Sequence, residues 1–206
     1  MKRTMLLMLT AGIITSCSLF GPSPGRITQW FALPAPGSTY TYTISTIWHD
    51  LSVSSETRDY LVERVEERDD GSTLVKFADA QRLTSFYWIV SEPVDAIYES
   101  LDTTVDDSDL LILLAPVKEG TEWTYGSGED EADYEISSIR SRDATEVGDL
   151  RDVVEVTCEY DAVPGMELTV MWAPAVGLVL YEENYDAGAS YIRRYQRELT
   201  AITPAD

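Results

Sequence analysis

Of the cysteine and histidine side chains that commonly act as nucleophiles and bases, this 206-residue chain has only two cysteines, Cys17 and Cys158, and a single histidine, His49. One histidine excludes every zinc site that needs two histidine ligands. Its position between Trp48 and Asp50 is typical of a turn or surface residue. Residues 21–25, Gly-Pro-Ser-Pro-Gly, match the Gly-x-Ser-x-Gly spelling but lie in a Pro-rich segment and not between a predicted strand and a predicted helix, and no phosphate-binding loop is present. We therefore expect no catalytic residues, no cofactor and no enzymatic activity. Catalysis by a pair of carboxylates, as in glycosidases, is the alternative that the composition leaves, since the chain has 36 Asp and Glu residues.

Acidic residues concentrate in two segments, residues 102–109 and 126–133. Carboxylate oxygens are the ligands that Ca²⁺ prefers, which makes Asp106, Asp107 and Asp109 candidate calcium ligands. Neither segment has the spacing of an EF-hand loop, with its glutamate at the twelfth position. We therefore interpret both as solvated acidic loops and predict no metal site.

Residues 1–16 predict an export signal. Lys2 and Arg3 give a basic start, a short apolar stretch follows, and small residues precede Cys17. The apolar stretch is too short to span a hydrocarbon core of ~30 Å, which takes about 20 residues. No second apolar stretch occurs later in the chain.

The four residues Ile14-Thr15-Ser16-Cys17 resemble the lipobox of bacterial lipoproteins. The resemblance implies that residues 1–16 are a lipoprotein signal peptide and that Cys17 becomes the acylated first residue. It would carry a diacylglycerol thioether and a further chain such as palmitate on its amine, and several chains anchor stably. Ser18, where an Asp would favour the inner membrane, favours the outer membrane. Residues 17–26 would then be the lipid anchor and a short Gly/Pro-rich tether.

The formal charge of -21 excludes nucleic acid and anionic headgroups as direct partners. Loss of Lys2 and Arg3 with the signal leaves 13 basic residues against 36 acids, so the charge becomes -23. Such a charge favours solubility, and binding of a divalent cation or of a basic partner is the alternative explanation.

Cys158, in the strand-like run 153–158, is expected to be a buried, inert thiol. A nucleophile or an intermolecular disulfide is the alternative.

Alternating β-branched and aromatic residues predict an all-β, antiparallel meander. Turn signals occur at residues 69–72 and 164–165, and residues 107–114 could form one turn of helix. The predicted strands cover residues 39–44, 60–65, 73–77, 84–90, 94–98, 122–125, 132–139, 152–160, 166–172, 178–185 and 190–199.

The two halves of the sequence align in the same order, which indicates a tandem duplication of a unit of about 80 residues. Chance similarity between β-rich segments is the alternative. The units would pack as two sheets or form one long curved sheet, a half-barrel. The matched segments are 34–42 with 116–125, 59–60 with 133–134, 86–88 with 170–172, and 94–98 with 176–181. We place the first unit at 27–101, an acidic linker at 102–115, the second unit at 116–200 and a tail at 201–206.

The second half carries two motifs, one with Pro116, Gly120, Trp123 and Tyr125, and one over residues 171–179, Met-Trp-Ala-Pro-Ala-Val-Gly-Leu-Val. Together they resemble uncharacterised bacterial envelope lipoproteins with Pro-x-x-x-Gly-x-x-Trp-x-Tyr and Trp-x-Ala-Pro-x-Val-Gly-Leu-Val motifs. The first half departs from both patterns. The resemblance provides no catalytic residues to transfer.

Aromatic side chains alternate onto one face of these strands, where they either pack in the core or form a ligand platform. The candidate ligand-facing residues are Tyr42, Trp88, Trp123, Tyr125 and Trp172, and an acyl chain or a glycan would suit such a surface. We expect an envelope lipoprotein, anchored by Cys17, that acts as a non-enzymatic binding or structural module for an unknown envelope protein. A carrier or sensor of a hydrophobic ligand is the alternative, and a carboxylate-dependent hydrolase of envelope polymers is the third.

Overall fold

A computed structural model describes residues 26–80, 84–106, 109–128, 131–160, 164–186 and 191–205. Within these ranges, the chain forms one short helix and twelve strands that join in one antiparallel sheet. The all-β antiparallel fold is confirmed. The elements are α1 (Ile27–Trp30), β1 (Thr39–Trp48), β2 (Val53–Glu67), β3 (Ser72–Asp79), β4 (Ser85–Ser91), β5 (Ala96–Ser100), β6 (Leu110–Leu114), β7 (Glu122–Tyr125), β8 (Ala132–Thr145), β9 (Gly148–Tyr160), β10 (Met166–Ala173), β11 (Gly177–Tyr185) and β12 (Ile192–Thr203).

The strand order is β6-β5-β4-β3-β2-β1-β12-β11-β10-β9-β8-β7, so each half is a meander and β1 pairs with β12 to join the halves. The consecutive strands β6 and β7 therefore lie at opposite edges of the sheet. Curvature brings these edges together, because the rings of Tyr98 on β5 and Tyr125 on β7 lie 5.7 Å apart. The Tyr125 hydroxyl also donates to the carbonyl oxygen of Asp106 at 2.7 Å. Of the two predicted arrangements, the single long curved sheet is the observed one.

The core lies inside the curve. Trp88 on β4 and Trp172 on β10 are separated by six strand spacings, about 29 Å along the sheet. Their ring centroids are nevertheless only 4.7 Å apart, and both side chains are fully buried. Rings from several other strands pack around this pair in edge-to-face and stacked contacts that add to the apolar area buried. They belong to Tyr40, Tyr42, Tyr60, Phe77 and Phe86.

The segment that contains α1 covers one end of this core. Phe31 packs edge-on against Trp172, with ring centroids 5.1 Å apart. The backbone N–H of Ile27 donates to Asp95 Oδ1 at 2.7 Å, and that of Ala32 donates to the Pro174 carbonyl at 2.8 Å. Asp95 lies in the β4–β5 turn and Pro174 in the β10–β11 turn, so we call this end of the sheet the α1 end.

Equivalent backbone and side-chain contacts recur in the two halves, each of which has six strands. Gly37 and Gly120 both have positive φ, and their N–H groups donate to Val62 and Ile136 at the same distance of 2.8 Å. The following hydroxyls also match, because Thr41 donates to Asp59 at 2.7 Å and Thr124 donates to Asp133 at 2.6 Å. These paired contacts favour duplication over chance similarity of the sequences.

The expected helical turn over residues 107–114 is wrong in its described part, since Leu110–Leu114 forms β6. A run of five aliphatic residues satisfies its backbone groups by pairing with β5 and is buried there. Both predicted turns are present, at Gly71 and at Pro164-Gly165.

A second, smaller apolar cluster forms from Leu150, Val153, Met171, Ala173 and Val179. None of the described helical structure has the length and apolarity needed to cross a membrane.

Candidate functional site

Arg197 and Glu99 form a buried ion pair inside the curved sheet. Arg197, on β12, is only 9% exposed, and its Nη2 donates to both carboxylate oxygens of Glu99 at 2.6 and 2.8 Å. Trp88 Nε1 donates to the same carboxylate at 3.2 Å. Three donor contacts therefore compensate Glu99 for its lost hydration.

Aromatic rings surround the guanidinium of Arg197. Its central carbon lies 5.6 Å from the ring centroid of Tyr42, 5.3 Å from that of Phe86 and 5.5 Å from that of Tyr181. Each distance is within the range of a cation–π contact. Burial lowers the pKa of Arg197, but the attraction of Glu99 and of the neighbouring phenol oxygens outweighs burial and raises that pKa. The side chain is therefore a permanent cation.

Part of the Arg197 guanidinium has no hydrogen-bond partner in the described part of the chain. Among the described residues, Nε is buried and unpartnered, and Nη1 has no acceptor because both hydrogen bonds to Glu99 are made by Nη2. Nη1 is not enclosed, because Arg197 lines a cavity of about 360 Å³. A fixed cation thus presents unused N–H donors to a concave space.

This cavity lies at the end of the sheet opposite the α1 end, and we call it the Arg197 cavity. Both β5 and β11 begin at the α1 end. β5 reaches the cavity at Glu99, and β11 reaches the cavity at Glu183. At a rise of about 3.3 Å per residue, the cavity lies some 10 to 20 Å from the turns that contact α1. The lining residues that matter most are Glu99, Asp102, Tyr181, Glu183, Tyr195 and Arg197.

Glu183 is positioned by two tyrosines. The hydroxyls of Tyr181 and Tyr185 donate to its two carboxylate oxygens, the latter at 2.8 Å. Burial, reinforced by the negative charge of Glu183, raises the pKa of Tyr181 well above its usual value. Tyr181 therefore stays a neutral phenol, and its hydroxyl donates a hydrogen bond to Glu183. The ring of Tyr195 packs edge-on against that of Tyr181 at 6.1 Å.

The acidic segment of residues 102–109 borders the cavity. The N–H of Asp106 donates to Asp109 Oδ2 at 2.7 Å, and Arg68 Nη1 donates to the Thr103 carbonyl at 2.6 Å. Asp107, the third candidate calcium ligand, lies outside the described residues. Across the described ranges, no three His, Cys, Asp or Glu side chains are arranged to hold a metal ion.

The five aromatics proposed as ligand-facing lie mostly in the core. Tyr42, Trp88 and Trp172 are fully buried, and Trp123 stacks on Tyr134 with ring centroids 5.5 Å apart. Tyr125 is half-buried at the sheet edge. These positions correspond to the core-packing alternative and do not form an open platform.

The tyrosines and the arginine at the Arg197 cavity were missed at the sequence level. Tyr195, Arg197 and Leu199 alternate along β12, which indicates that they share one face of the sheet. Gln196 and Glu198 lie between them and make the stretch look solvent-exposed. The alternation was therefore the usable signal, and polarity concealed it.

The histidine and the described cysteine lie away from this cavity. Cys158 on β9 is buried and free, as expected, and burial raises its pKa to about 12. Its thiol is therefore fully protonated near neutral pH. His49 follows β1 at the tip of the β1–β2 hairpin, where its N–H donates to the Tyr191 carbonyl at 3.3 Å. Neither side chain faces Arg197 or Glu99.

A larger open groove of about 770 Å³ crosses β7, β8, β9 and β10. Its lining includes Glu122, Asp133, Glu135, Glu159 and Glu167, and no lysine or arginine. Trp123, Tyr134, Cys158 and Leu168 also line it, so the groove combines carboxylates with residues of the core.

The sequence matches no family model, and no curated protein matches it. Cys17 and the lipobox lie outside the described residues.

Proposed function

We propose that this protein is a lipid-anchored component of the bacterial envelope whose domain binds another envelope component through the Arg197 cavity, without catalysis. One observation carries the proposal: a buried cation with unused donors faces a concave space at the end of the sheet away from the α1 end. Buried polar groups are normally paired, so an unpaired donor group in a cavity favours a ligand that supplies acceptors.

The described chain starts at the α1 end, opposite the Arg197 cavity, so the proposed anchor would extend from the far end of the domain. The described chain starts at Arg26, directly before α1. Arg26 is nine positions after Cys17, and at no more than 3.6 Å per position the chain between them spans at most about 32 Å. An acylated Cys17 would therefore hold the α1 end close to the bilayer. The Arg197 cavity would then face away from that membrane, where a second component is accessible.

Binding at this cavity has more support than transport of a hydrophobic ligand. A carrier of acyl chains needs a large apolar space, whereas the inside of the curve is occupied by rings in mutual contact, among them Phe77, Trp88 and Trp172. The Arg197 cavity is lined by carboxylates, tyrosines and an arginine, and not by a continuous apolar wall. The hydrolase has less support, since Glu99 is held by Arg197 and Trp88.

Metabolic labelling tests the anchor. Cells that express the protein are fed an alkyne analogue of palmitate, and the label is followed with membrane fractionation. We expect labelled protein in the membrane fraction, and an unlabelled, mislocalised Cys17→Ala variant. Cys158→Ala is the matched control, because it removes the other cysteine of the chain and leaves Cys17 intact. Label that persists in Cys17→Ala would refute lipidation at this position.

Site-specific photocrosslinking tests the binding role. A photoreactive residue replaces Leu101, which is 83% exposed at the Arg197 cavity, or Val94, which is 55% exposed in the β4–β5 turn at the α1 end. We expect a discrete adduct of defined mass from position 101 and none of that mass from position 94. The same adduct from both positions, or none from position 101, would argue against recognition at the cavity.

A further inference from the structure

The Arg197 cavity presents hydrogen-bond donors on one side. Nη1 of Arg197 carries two N–H groups for which the described residues provide no acceptor, and the guanidinium is fixed by Glu99 and by three rings. Because the group is already ordered, a ligand acceptor would be bound with little further loss of side-chain entropy. The ligand must therefore offer an oxygen or another acceptor at this position.

The cavity presents acceptors as well. Glu183 is held by Tyr181 and Tyr185, and each carboxylate oxygen can accept more than one hydrogen bond. The side chain of Asp102 lines the same space. No lysine or arginine forms a salt bridge with Asp102 or Glu183 within the described ranges. The ligand must therefore also offer donors.

Tyrosine rings supply an apolar surface between these groups. Tyr181 and Tyr195 both line the cavity, with their planes at 75° to each other. Tyr195 is half-buried, so part of its ring remains available for contact. A flat patch of C–H groups on a ligand would fit against such a ring.

Few classes of ligand meet all three requirements. An anion would satisfy Arg197 but be repelled by Glu183 and Asp102, and by a chain of formal charge -21. An organic cation would satisfy the carboxylates but leave the donors of Arg197 unpaired. An acyl chain would leave both unpaired. A hydroxyl group donates and accepts at once, and a sugar ring combines several hydroxyls with a C–H face.

We infer that the Arg197 cavity binds a neutral saccharide, with the sugar ring against Tyr195 and its hydroxyls shared between Arg197 and Glu183. This inference rests on the proposed function, because it names the ligand class of the same site. The volume of about 360 Å³ is at the small end of ligand pockets. The cavity therefore accommodates one end of a glycan, and not an extended chain.

Titration calorimetry with neutral sugars tests the inference directly. The mature protein is extracted in a polyoxyethylene detergent, which carries no sugar, and is titrated with chitobiose, chitotriose, maltose and cellobiose. We expect saturable binding of at least one of them at millimolar concentration or below. Tyr195→Ala and Glu183→Gln should each weaken that binding about tenfold, as expected for loss of a stacking face or a charged acceptor.

Three further variants make the result specific. Arg197→Lys keeps a cation beside Glu99 but removes the planar fork of donors, so sugar binding should be lost while the melting temperature changes less than in Arg197→Met. Tyr191→Ala is the control, because Tyr191 is 90% exposed and does not line this cavity. It should bind sugar like the unmodified protein.

Several outcomes would overturn the inference. One is that none of the four sugars binds, and another is that spermidine or glucuronate binds while the neutral sugars do not. Equal binding by the Tyr195→Ala, Glu183→Gln and unmodified proteins would also exclude this site. Sugar cleavage in the same samples would retain the saccharide and overturn only the non-enzymatic role. The palmitate labelling reports on the anchor independently, so the two proposals fail separately.

Discussion

Arg197 and Glu99 lie five strands apart in the sheet and yet form a hydrogen-bonded ion pair, with 2.6 Å between Arg197 Nη2 and Glu99 Oε1. Measured along the sheet, that separation is about 24 Å at a strand spacing near 4.8 Å. The pair therefore exists only because the sheet curves on itself. It links β5 in the first half of the chain to β12 in the second, at the margin between the aromatic core and the Arg197 cavity.

Glu99→Gln should strongly destabilise the fold. The substitution leaves the Arg197 cation buried without a counter-charge, and breaking a buried pair costs about 3–5 kcal/mol. Replacing both residues, as in Glu99→Gln with Arg197→Met, should cost less than the single change, since no uncompensated charge remains. Urea unfolding followed by tryptophan fluorescence gives both values. If the double variant is as unstable as the sum of the single variants, the two charges are not coupled.

Gly177→Ala should destabilise the protein more than Gly120→Ala. Both glycines have positive φ, so both substitutions strain the backbone by about 1 kcal/mol. A Cβ at position 177 would in addition lie 2.6 Å from the fully buried Trp88 ring, whereas nothing lies within 4 Å of one at position 120. Overpacking of this kind adds about 1–3 kcal/mol.

Chemical denaturation of the Gly177→Ala and Gly120→Ala proteins, compared with the unmodified chain, measures the difference. Gly120 serves as the control for backbone strain alone. Equal losses at the two positions would mean that the β10–β11 turn can shift away from Trp88, and that the close approach is not needed for packing.

The sequence pattern identified every described strand except β6, and the repeat, but not how the two halves meet. Alternation placed Trp88 and Trp172 correctly on strands, since local side-chain periodicity is a property of each strand alone. Their contact depends on the curvature of the whole sheet and on the pairing of β1 with β12, which are separated by most of the chain. No local sequence pattern encodes the curvature of the sheet or the pairing of β1 with β12.

The candidate site was even less accessible to sequence reasoning. Charged residues are rarely buried, so the Gln-Arg-Glu stretch around Arg197 resembled a solvated strand. Leu110–Leu114 was misassigned for a different reason, because a short aliphatic run fits a helix or a buried strand equally well. For Arg197 the deciding partner is Glu99, 98 residues away in the sequence, whereas for Leu110–Leu114 it is the preceding strand, β5.

Glu159→Gln should stabilise the protein. Glu159 lies directly opposite Asp133 on β8 and Glu167 on β10, so three carboxylates face one another across neighbouring strands. Like charges in opposed positions are destabilising by about 0.2–1 kcal/mol per pair. The gain should appear in the urea midpoint at low ionic strength and shrink as salt screens the exposed charges.

Glu56→Gln is the matched control for that change. Glu56 is also an exposed glutamate on a strand, but it pairs with Arg58 at 2.6 Å, so its neutralisation should give no gain. Equal stabilisation by Glu56→Gln and Glu159→Gln would attribute the effect to net charge, and not to the opposed carboxylates.

Alkaline pH should destabilise the fold through buried groups that stay neutral in the native state. Burial raises the pKa of Cys158 from 9.0 to about 12, and that of Tyr160 from 10.0 to about 12. A raised native pKa contributes stability that is complete below the unfolded pKa and is lost as pH rises towards the native one. The urea midpoint should therefore be constant up to about pH 8 and fall from pH 9 upwards.

Cys158→Ala separates the thiol from the phenols in this decline. Because the thiol has the lower unfolded pKa, its removal should flatten the curve between about pH 9 and pH 10 and leave the later decline, which belongs to Tyr160 and other buried tyrosines. The native thiol should also resist a soluble disulfide reagent at pH 8 and react after unfolding in urea, since only the thiolate reacts. Rapid modification of the folded protein would contradict the buried position of Cys158 and restore the nucleophile that the sequence left open.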